Sequence, residues 1–363
     1  MPPDFPAPTV VRLTPPGRGA IASVRVEGAG GVEIVQSLFH ARDGMPLIEH
    51  PADRLILGRF EAEEIVIRLS GGDAIDLHCH GGTAAVERIE ETLESAGCRR
   101  MNWRDSTAER HANPTEAAAV TALADARTER TAAILLDQLN GAWDRAVAAI
   151  RGAIGRDDFA TARQSIDALA ARAKLGKHLV KPWSVVLAGR PNVGKSSTLN
   201  ALAGYRRAIV HHAPGTTRDA VTLTTAIDGW PVELCDTAGL RADAEPIERA
   251  GVELARTRLR QADLCVLIFD RSAPWSEADR SLPAAWPDAL LVHNKSDLAA
   301  ASGARPPGLS LSALTGEGVP SLIEAISARL VPDPPAPGDA VPFTPDHIET
   351  LRKLAESCNA RQG

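Results

Sequence analysis

The hydrophobic pattern divides this chain of 363 residues into four regions. Short apolar runs separated by turn residues predict a mixed α+β region over residues 1–112. Residues 113–181 are rich in alanine and repeat apolar side chains at helical spacing, which predicts two or three helices. Residues 182–331 alternate apolar strands with helical segments, as in a largely parallel sheet covered by helices. Residues 332–363 begin with a proline-rich linker and predict one final helix.

The individual elements follow from the same pattern. In the first region we expect strands at Val10–Leu13 and Ile21–Val26, a hairpin joining Ile65–Leu69 to Ile75–His78, and a helix over Thr83–Ala96. The final helix of the chain is expected at His347–Ser357, and the pair Asp228-Gly229 is typical of a tight hairpin. The region 182–331 predicts five strands: Ser184–Ala188, Val221–Ile227, Val232–Cys235, Leu264–Phe269 and Leu290–His293.

Composition narrows the class of protein. Hydrophobic residues make up 44% of the chain and charged residues 24%, so a folded core is expected and global disorder is not. The net charge of −6 argues against a broad electrostatic surface for nucleic acid. The five cysteines include no C-x-x-C pair, which favours a reducing compartment. No signal peptide is recognisable and Leu264–Phe269 is too short to cross a bilayer, so we expect a cytoplasmic protein without a membrane partner.

The segment Gly189–Ser196 reads GRPNVGKS and satisfies the phosphate-loop pattern G-x-x-x-x-G-K-[ST]. An apolar strand precedes it and a helix predicted at Ser197–Leu202 follows it, which is the context that such a loop requires. We expect Lys195 to contact the β- and γ-phosphates of a nucleotide and Ser196 to ligate Mg²⁺. The residues predicted to bind the nucleotide here are Asn192, Val193, Gly194, Lys195, Ser196 and Ser197.

Two more motifs follow predicted strands. Asp236-Thr237-Ala238-Gly239 places Asp236 to hold the Mg²⁺ shell and the Gly239 amide to meet the γ-phosphate. Asn294-Lys295-Ser296-Asp297 supplies a carboxylate that accepts hydrogen bonds from guanine N1 and N2, a pair of donors that adenine lacks. Ser312-Ala313 is a candidate backbone contact to the guanine oxygen. The order and position of these motifs predict a protein that binds GTP and hydrolyses it.

A candidate switch lies between the phosphate loop and Asp236. It contains Thr216 and Thr217, and we expect Thr217 to ligate Mg²⁺ and to sense the γ-phosphate. An ordinary Gly-Thr turn is the alternative. Many small GTPases carry glutamine directly after the D-x-x-G motif, whereas this chain has Leu240, which cannot hydrogen-bond water. Another group must therefore position the attacking water and offset the developing charge.

Four segments of this region resemble the MnmE family of tRNA modification GTPases. They are Gly189–Leu199 (GRPNVGKSSTL), Gly215–Asp219 (GTTRD), Asp236–Arg241 (DTAGLR) and Ser312–Gly318 (SALTGEG).

In that family a potassium ion held partly by the phosphate-loop asparagine assists hydrolysis, and a glutamate positions the water. The resemblance implies these roles for Asn192 and Glu248. Two alternatives stay open: Asn192 shapes the loop, or Glu248 is a solvated carboxylate at a helix start.

The resemblance extends to the first region through Thr14–Gly19 and Asp76–Gly82. The family domain dimerises and binds a formyl-tetrahydrofolate, which implies folate contacts for Arg25 and Asp76. A surface arginine and a strand-end aspartate are the alternatives. At the other end of the chain, Cys358 matches the spacing of a functional cysteine in the family's C-terminal tail, and a plain tail cysteine is the alternative.

As a whole, the resemblance implies an α/β P-loop GTPase domain inserted in an α-helical domain and preceded by an α+β N-terminal domain. It further implies a homodimer, a flavin-dependent partner similar to MnmG, and a part in carboxymethylaminomethyl modification of the tRNA wobble uridine. Two other functions stay open: a regulatory or ribosome-assembly GTP switch without a tRNA-modifying role, and a dimerisation scaffold controlled by GTP.

Overall fold

The computed structural model describes residues 7–17, 19–71, 73–204, 222–236 and 260–362. These residues belong to two compact units, 1–117 and 118–363. No helix among the described residues has the length and apolar character needed to cross a membrane.

The first unit is built on a seven-stranded sheet with the order β3-β4-β5-β6-β2-β1-β7. All neighbouring strands are antiparallel except β1 and β7. The strands are β1 Thr9–Arg12, β2 Ile21–Glu27, β3 Phe39–Ala41, β4 Leu55–Phe60, β5 Glu63–Leu69, β6 Ala74–His80 and β7 Arg99–Met101. The helices are α1 Gly31–Leu38, a 3₁₀ turn at Leu47–Glu49, α2 Thr83–Ser95 and α3 Trp103–Arg110.

Alternation along the strands divides this sheet into two faces. Ala22, Val24 and Val26 of β2 are buried in the core with apolar residues of α2, because successive side chains of a strand point to opposite sides. The intervening side chains of β2, which include Arg25, lie on the other face and are half-buried. The hairpin predicted between residues 65 and 78 is confirmed as β5 and β6.

The second unit contains a six-stranded sheet with the order β13-β12-β11-β8-β10-β9. Every neighbouring pair is parallel except β9 and β10. The strands are β8 Trp183–Ala188, β9 Thr222–Ile227, β10 Trp230–Asp236, β11 Leu264–Asp270, β12 Leu290–Asn294 and β13 Leu309–Ser310. The helices that cover this sheet include α9 Lys195–Gly204, α10 Glu277–Ala285 and α11 Val319–Leu330.

Local sequence explains the form of this sheet. Strand β11 is apolar from Leu264 to Phe269 and is buried along that whole run, as expected for a central parallel strand covered on both faces. The hairpin between β9 and β10 turns at Asp228 and Gly229, whose φ values are +49° and +77°. Two consecutive positive φ values match the twist of antiparallel strands, which confirms the predicted turn.

Six further helices are found among the described residues outside the two sheets and their covering helices. They are α4 Pro114–Asp125, α5 Glu129–Leu139, α6 Ala142–Gly155, α7 Phe159–Ala171, α8 Ala173–Lys177 and α12 Pro345–Gln362. The prediction of two or three helices between residues 113 and 181 was therefore wrong, since five lie there. Three of the breaks fall at N-terminal capping residues, which are Thr128, Asp158 and Gly141, the last with φ +83°.

The last helix packs against two helices that precede the six-stranded sheet in sequence. Apolar side chains of α6, α7 and α12 form one core that includes Ile150, Ile166 and Leu354. At the start of α12, His347 stacks on Trp143 with a ring separation of 4.1 Å. The chain therefore leaves this helical layer, forms the sheet, and returns to the same layer.

Candidate nucleotide-binding site

The carboxyl ends of four parallel strands meet at one edge of the six-stranded sheet. Asp236 ends β10 beside Leu187 of β8, and Asp270 ends β11 beside Asn294 of β12. Ligands of open parallel sheets bind at this edge, where the connecting loops of several strands converge. The motifs at residues 189–196, 236 and 294–297 are thereby brought together.

The loop between β8 and α9 approaches its neighbours closely at both of its glycines. A Cβ on Gly189 would lie 2.2 Å from the Ile268 carbonyl oxygen, and a Cβ on Gly194 would lie 2.2 Å from Asn294 Nδ2. Both residues have positive φ, at +149° and +95°. Only glycine fits these two positions, and the loop then presents its backbone N–H groups ahead of the N-terminus of α9, an arrangement suited to phosphate.

Asn192 lies in the same loop with φ +64°, in the left-handed region that asparagine tolerates better than most residues. The backbone conformation alone therefore favours asparagine at this position, whether or not an ion binds there. The side chain is exposed and is also available as an oxygen ligand.

Lys195 and Ser196 begin α9, and their side chains form hydrogen bonds with different parts of the site. Lys195 is buried, and its Nζ donates to the carbonyls of Gly189 and Arg190 at 3.1 and 2.9 Å, across the loop. Ser196 Oγ donates to Asp236 Oδ2 at 2.6 Å. Asp236 is only 2% exposed whereas Ser196 is exposed, so the hydroxyl and the carboxylate oxygen meet where the buried strand end reaches the surface. Hard oxygen donors of this kind fit Mg²⁺.

Asn294 connects the phosphate loop to the segment after β13. Its Nδ2 donates to the Val193 carbonyl at 2.8 Å, and its Oδ1 accepts from the Ala313 amide at 3.0 Å. The side chain is buried, so both polar atoms must be paired with protein groups to avoid a desolvation penalty. Asn294 is therefore a positioning residue that sets the distance between two parts of the site.

The predicted guanine-binding residues lie beside this connection. Asp297 Oδ1 accepts from Ser312 Oγ at 2.5 Å, and Ser312 is fully buried. Asp297 itself is exposed, so the carboxylate is held by one partner and remains accessible to a base. Lys295 has φ +66° and donates through Nζ to Asp270 Oδ2 at 2.6 Å.

Asp270 is a site residue that lies outside the sequence motifs. Burial opposes its ionisation, but hydrogen bonds from Lys295 and Ser272 outweigh that effect and lower the pKa of its carboxyl. A signal for it exists in the sequence, because Asp270 is the first polar residue after the apolar run of β11 and must lie at the same sheet edge as Asn294.

Arg190 is a second residue of the loop whose contacts were not anticipated. Its Nη1 donates to Ser276 Oγ at 3.0 Å and approaches Asp279 Oδ2 at 3.3 Å. Ser276 and Asp279 form a capping box at the start of α10. The phosphate loop is thus tied to the helix that follows β11.

Several predicted site residues lie outside the described residues. They are Thr216, Thr217, Thr237, Ala238, Gly239, Leu240 and Glu248.

In the first unit, the two predicted folate residues pair with each other. Arg25 donates to Asp76 through Nε at 2.7 Å and Nη2 at 2.9 Å, and Ser70 Oγ adds a third hydrogen bond at 2.5 Å. The β2–β6 register places Arg25 directly opposite Asp76. Burial opposes ionisation of Asp76, but the hydrogen bonds from Arg25 and Ser70 lower the pKa of its carboxyl, and the same pairing raises the pKa of Arg25.

Cys358 is almost completely buried in the helical core of α6, α7 and α12, where its thiol lies 3.7 Å from the Phe159 carbonyl. This position matches a packing role better than a reactive one.

The sheet, the phosphate loop and the guanine motif define a P-loop GTPase, with an α/β nucleotide-binding domain. A family described as 50S ribosome-binding GTPase matches residues 184–295. The tRNA modification GTPase MnmE of Prochlorococcus marinus is 32% identical over 87% of this chain and 79% of its own length. That of Thermus thermophilus is 33% identical over 96% of this chain and 88% of its own. The chain belongs to the MnmE family, and it is a GTP hydrolase.

Among solved structures, the G domain of the T. maritima FeoB iron transporter is 28% identical, covering 40% of this chain and 98% of that one with a TM-score of 0.31.

Proposed function

We propose that this chain hydrolyses GTP with the help of Mg²⁺ and K⁺ and takes part in carboxymethylaminomethyl modification of the tRNA wobble uridine. The observation that supports the hydrolytic part most directly is the buried Asn294, which joins the phosphate loop at Val193 to the guanine segment at Ala313. Bound guanine and bound phosphates are thereby held by one connected set of hydrogen bonds. The tRNA part rests on the names of the relatives.

Mg²⁺ would be held by Ser196, Asp236 and Thr217. The short Ser196–Asp236 hydrogen bond supports this assignment, because it brings a hydroxyl and a carboxylate oxygen together at the start of α9. The ion supplies electrostatic stabilisation of the charge that develops on the phosphates. Lys195, whose Nζ donates to the Gly189 and Arg190 carbonyls, adds a second positive charge beside the loop.

K⁺ would be held in part by the Asn192 side chain, whose oxygen is exposed at the turn of the phosphate loop. Glu248 would position the attacking water in place of the absent glutamine. The left-handed backbone at Asn192 means that two roles, loop shape and ion binding, fall on one residue. A substitution that separates these roles tests the proposal directly.

Asn192→Gly keeps the backbone conformation, since glycine adopts φ +64° without strain, and removes only the amide. We expect the wild-type GTPase rate to rise severalfold in K⁺ relative to Na⁺, and the variant to bind GTP normally while losing that stimulation. Stopped-flow nucleotide binding and phosphate release in the two salts provide the measurement. Equal wild-type rates in K⁺ and Na⁺ would remove the potassium role.

Glu248→Ala tests the proposed water-positioning role. It should retain both GTP affinity and the binding of K⁺ while turnover falls by about a hundredfold, the scale of a lost general base or water-positioning group. Unchanged turnover would assign Glu248 to a solvated surface instead.

The arrangement of domains that we propose is a G domain inserted in a helical domain and preceded by a separate N-terminal domain. The core shared by α6, α7 and α12 supports it, since these helices flank the six-stranded sheet in sequence. The proposed boundaries are residues 1–112, 113–181, 182–331 and 332–363. A homodimer through the N-terminal domain and a flavoprotein partner similar to MnmG complete the proposal.

A formyl-tetrahydrofolate site at Arg25 and Asp76 is part of the same proposal. The two residues neutralise each other, with Arg25 using two of its nitrogens on Asp76. A ligand would then meet a rigid, neutral pair that offers the remaining guanidinium N–H groups as donors. Loss of folinate binding in Arg25→Ala, with binding retained in Arg68→Ala on the same sheet, is the expected result.

The tRNA role is tested by deleting the gene and analysing the nucleosides of bulk tRNA by mass spectrometry. We expect the modified wobble uridines to disappear and to return with the wild-type gene. Unchanged wobble uridines would favour the second candidate, a ribosome-assembly GTP switch. The match to 50S ribosome-binding GTPases over residues 184–295 supports that alternative, and altered ribosomal subunit profiles would identify it.

A further inference from the structure

The loop between β12 and β13, residues 298–308, joins the two segments predicted to bind guanine. Residues 294–297 precede this loop, and Ser312 follows it just after β13. Arg305 lies within the loop, is partly buried and belongs to none of the sequence motifs. Its side chain reaches the turn at the end of β11, so the loop connects the guanine segments to a third strand end.

The Arg305 guanidinium binds two carbonyls of that turn. Its Nη1 donates to the Asp270 carbonyl at 2.8 Å, and its Nη2 donates to the Ala273 carbonyl. The guanidinium also lies over the Trp275 ring, 5.7 Å from the ring centroid. A planar guanidinium carries its N–H groups in fixed directions, so one side chain can bind two carbonyls three residues apart. Arg305 therefore fixes the shape of residues 270–273.

The same turn positions a residue of the guanine motif. Asp270 Oδ1 accepts from the amide and the hydroxyl of Ser272 at 2.8 and 2.6 Å, which fixes the carboxylate over the turn. Its Oδ2 accepts from Lys295 Nζ at 2.6 Å. Lys295 has φ +66°, a conformation that lysine rarely adopts, so its backbone needs support from its neighbours. Because Asp297 lies two residues further on, the turn and the base-binding carboxylate are connected through Lys295.

Backbone groups also hold the loop and the turn together. The Ala301 amide donates to the Arg271 carbonyl at 3.1 Å, and the Arg271 amide donates to the Asn294 carbonyl at 2.9 Å. The phosphate loop is anchored separately, by Arg190 on the capping box of α10. Loss of the Arg305 side chain should therefore change the shape of the turn without unfolding the loop or releasing the phosphate loop.

We propose that Arg305 is a positioning residue for guanine recognition. It fixes the turn at 270–273, which holds Lys295 and thereby keeps the Asp297 carboxylate aligned with the base. The inference rests on the proposed contact of Asp297 with guanine N1 and N2. One carboxylate must meet both donors at once, and hydrogen bonds weaken steeply when they are misaligned. Arg305 thus sets specificity for the 2-amino group of guanine by acting through other residues.

The test uses the full chain with Mg²⁺ and compares GDP with inosine diphosphate, which lacks the 2-amino group of guanine. Competition against a fluorescent guanine nucleotide gives both dissociation constants, and their ratio reports the hydrogen bond from N2 to Asp297. For Arg305→Ala we expect affinity to fall about tenfold for GDP and about threefold for inosine diphosphate, so the ratio shrinks about threefold. In GTP hydrolysis KM should rise while kcat stays within about twofold of the wild type.

Arg329→Ala is the matched control, because Arg329 also donates to a backbone carbonyl, that of Asp288, at the opposite end of β12. Both affinities and their ratio should stay within about twofold of the wild type. Arg305→Lys keeps the positive charge but loses the planar fork that binds two carbonyls, so it should behave like Arg305→Ala. The two Arg305 variants together separate the geometry of the guanidinium from its charge.

Three outcomes would contradict the inference, and they can be told apart. An unchanged ratio in Arg305→Ala, with both affinities kept or both lost equally, would overturn the role of Arg305 and leave the guanine contact of Asp297 intact. Wild-type behaviour of Arg305→Lys would assign the effect to charge rather than to positioning. Equal affinity of the wild type for GDP and inosine diphosphate would remove the guanine contact of Asp297 itself, and the inference with it.

Discussion

The two sheets of this protein gather polar residues in different ways. In the six-stranded sheet, the polar residues lie at the carboxyl ends of parallel strands, as Asp236, Asp270 and Asn294 do. In the seven-stranded, mostly antiparallel sheet, they lie in the middle of strands and meet across one face, as Arg25 and Asp76 do. The first arrangement depends on strand direction alone, and the second depends on register.

This difference determines how many hydrogen-bonding groups each set of residues leaves available to a ligand. At the strand ends, turns and loops hold the side chains, so the Asp297 carboxylate has one side-chain partner among the described residues and remains accessible. On the sheet face, side chains stand directly opposite each other and satisfy one another, so Asp76 has three hydrogen bonds and little exposure. A ligand at the strand ends therefore meets side chains that are still accessible, whereas a ligand at the sheet face meets a pair that also stabilises the sheet.

The largest effect that tests this comparison is expected for Asp297→Asn. The amide cannot accept hydrogen bonds from guanine N1 and N2 as the carboxylate does, and it places a donor against them. We expect affinity for GTP to fall by about a hundredfold or more, as when a site built for hydrogen bonding loses its match. Competition against a fluorescent guanine nucleotide measures the loss.

Xanthosine triphosphate is the internal control for the Asp297 variant. Xanthine carries an oxygen where guanine has its amino group, so an asparagine amide can donate to it, and affinity for this nucleotide should rise in the variant. A variant that loses both nucleotides would indicate a misfolded site. Unchanged GTP affinity would show that Asp297 does not contact the base.

Strand direction also explains how much was predictable. The sequence predicts the α/β nucleotide domain, its hairpin and the cluster at residues 189–196, 236 and 294–297. Each motif lies at the carboxyl end of an apolar strand, and the carboxyl ends of parallel strands share one edge of the sheet. The pairing of Arg25 with Asp76 depends on the β2–β6 register, which no local pattern specifies. The predicted number of helices between residues 113 and 181 was too low, because a single capping residue ends the apolar repeat of one helix and starts the next.

Arg25→Ala should have the next largest effect, on the stability of the first unit. It leaves the Asp76 carboxylate buried with Ser70 as its remaining side-chain hydrogen-bond partner among the described residues, which we expect to cost about 2 kcal/mol at neutral pH. Hydrogen exchange of the β2 and β6 amides measures the free energy of opening. Arg68→Ala is the matched control, because its partner Asp53 is exposed and the loss should stay below about 1 kcal/mol.

The pH dependence of the Arg25 effect has a definite sign. The folded-state pKa of Asp76 is lowered from 3.8, so its pairing stabilises the fold above pH 4 and that stabilisation is lost as the pH falls through the folded value. The difference between wild type and Arg25→Ala should therefore shrink in acid. A difference that stays constant down to pH 2 would assign it to packing rather than to charge.

The smallest effect is expected for Asp270→Asn, which tests whether a strand-end residue without a ligand contact still matters. The variant keeps the shape of the side chain but removes the charge that holds Lys295. Because both side chains are partly exposed, we expect affinity for GTP to fall only about threefold. Asp288→Asn, at the opposite end of β12, removes the same charge and should leave affinity unchanged. If Asp270→Asn matches that control, strand ends recognise ligands only through the residues that touch them. If it weakens binding as much as Asp297→Asn, the positioning of Lys295 is as important as direct contact with the base.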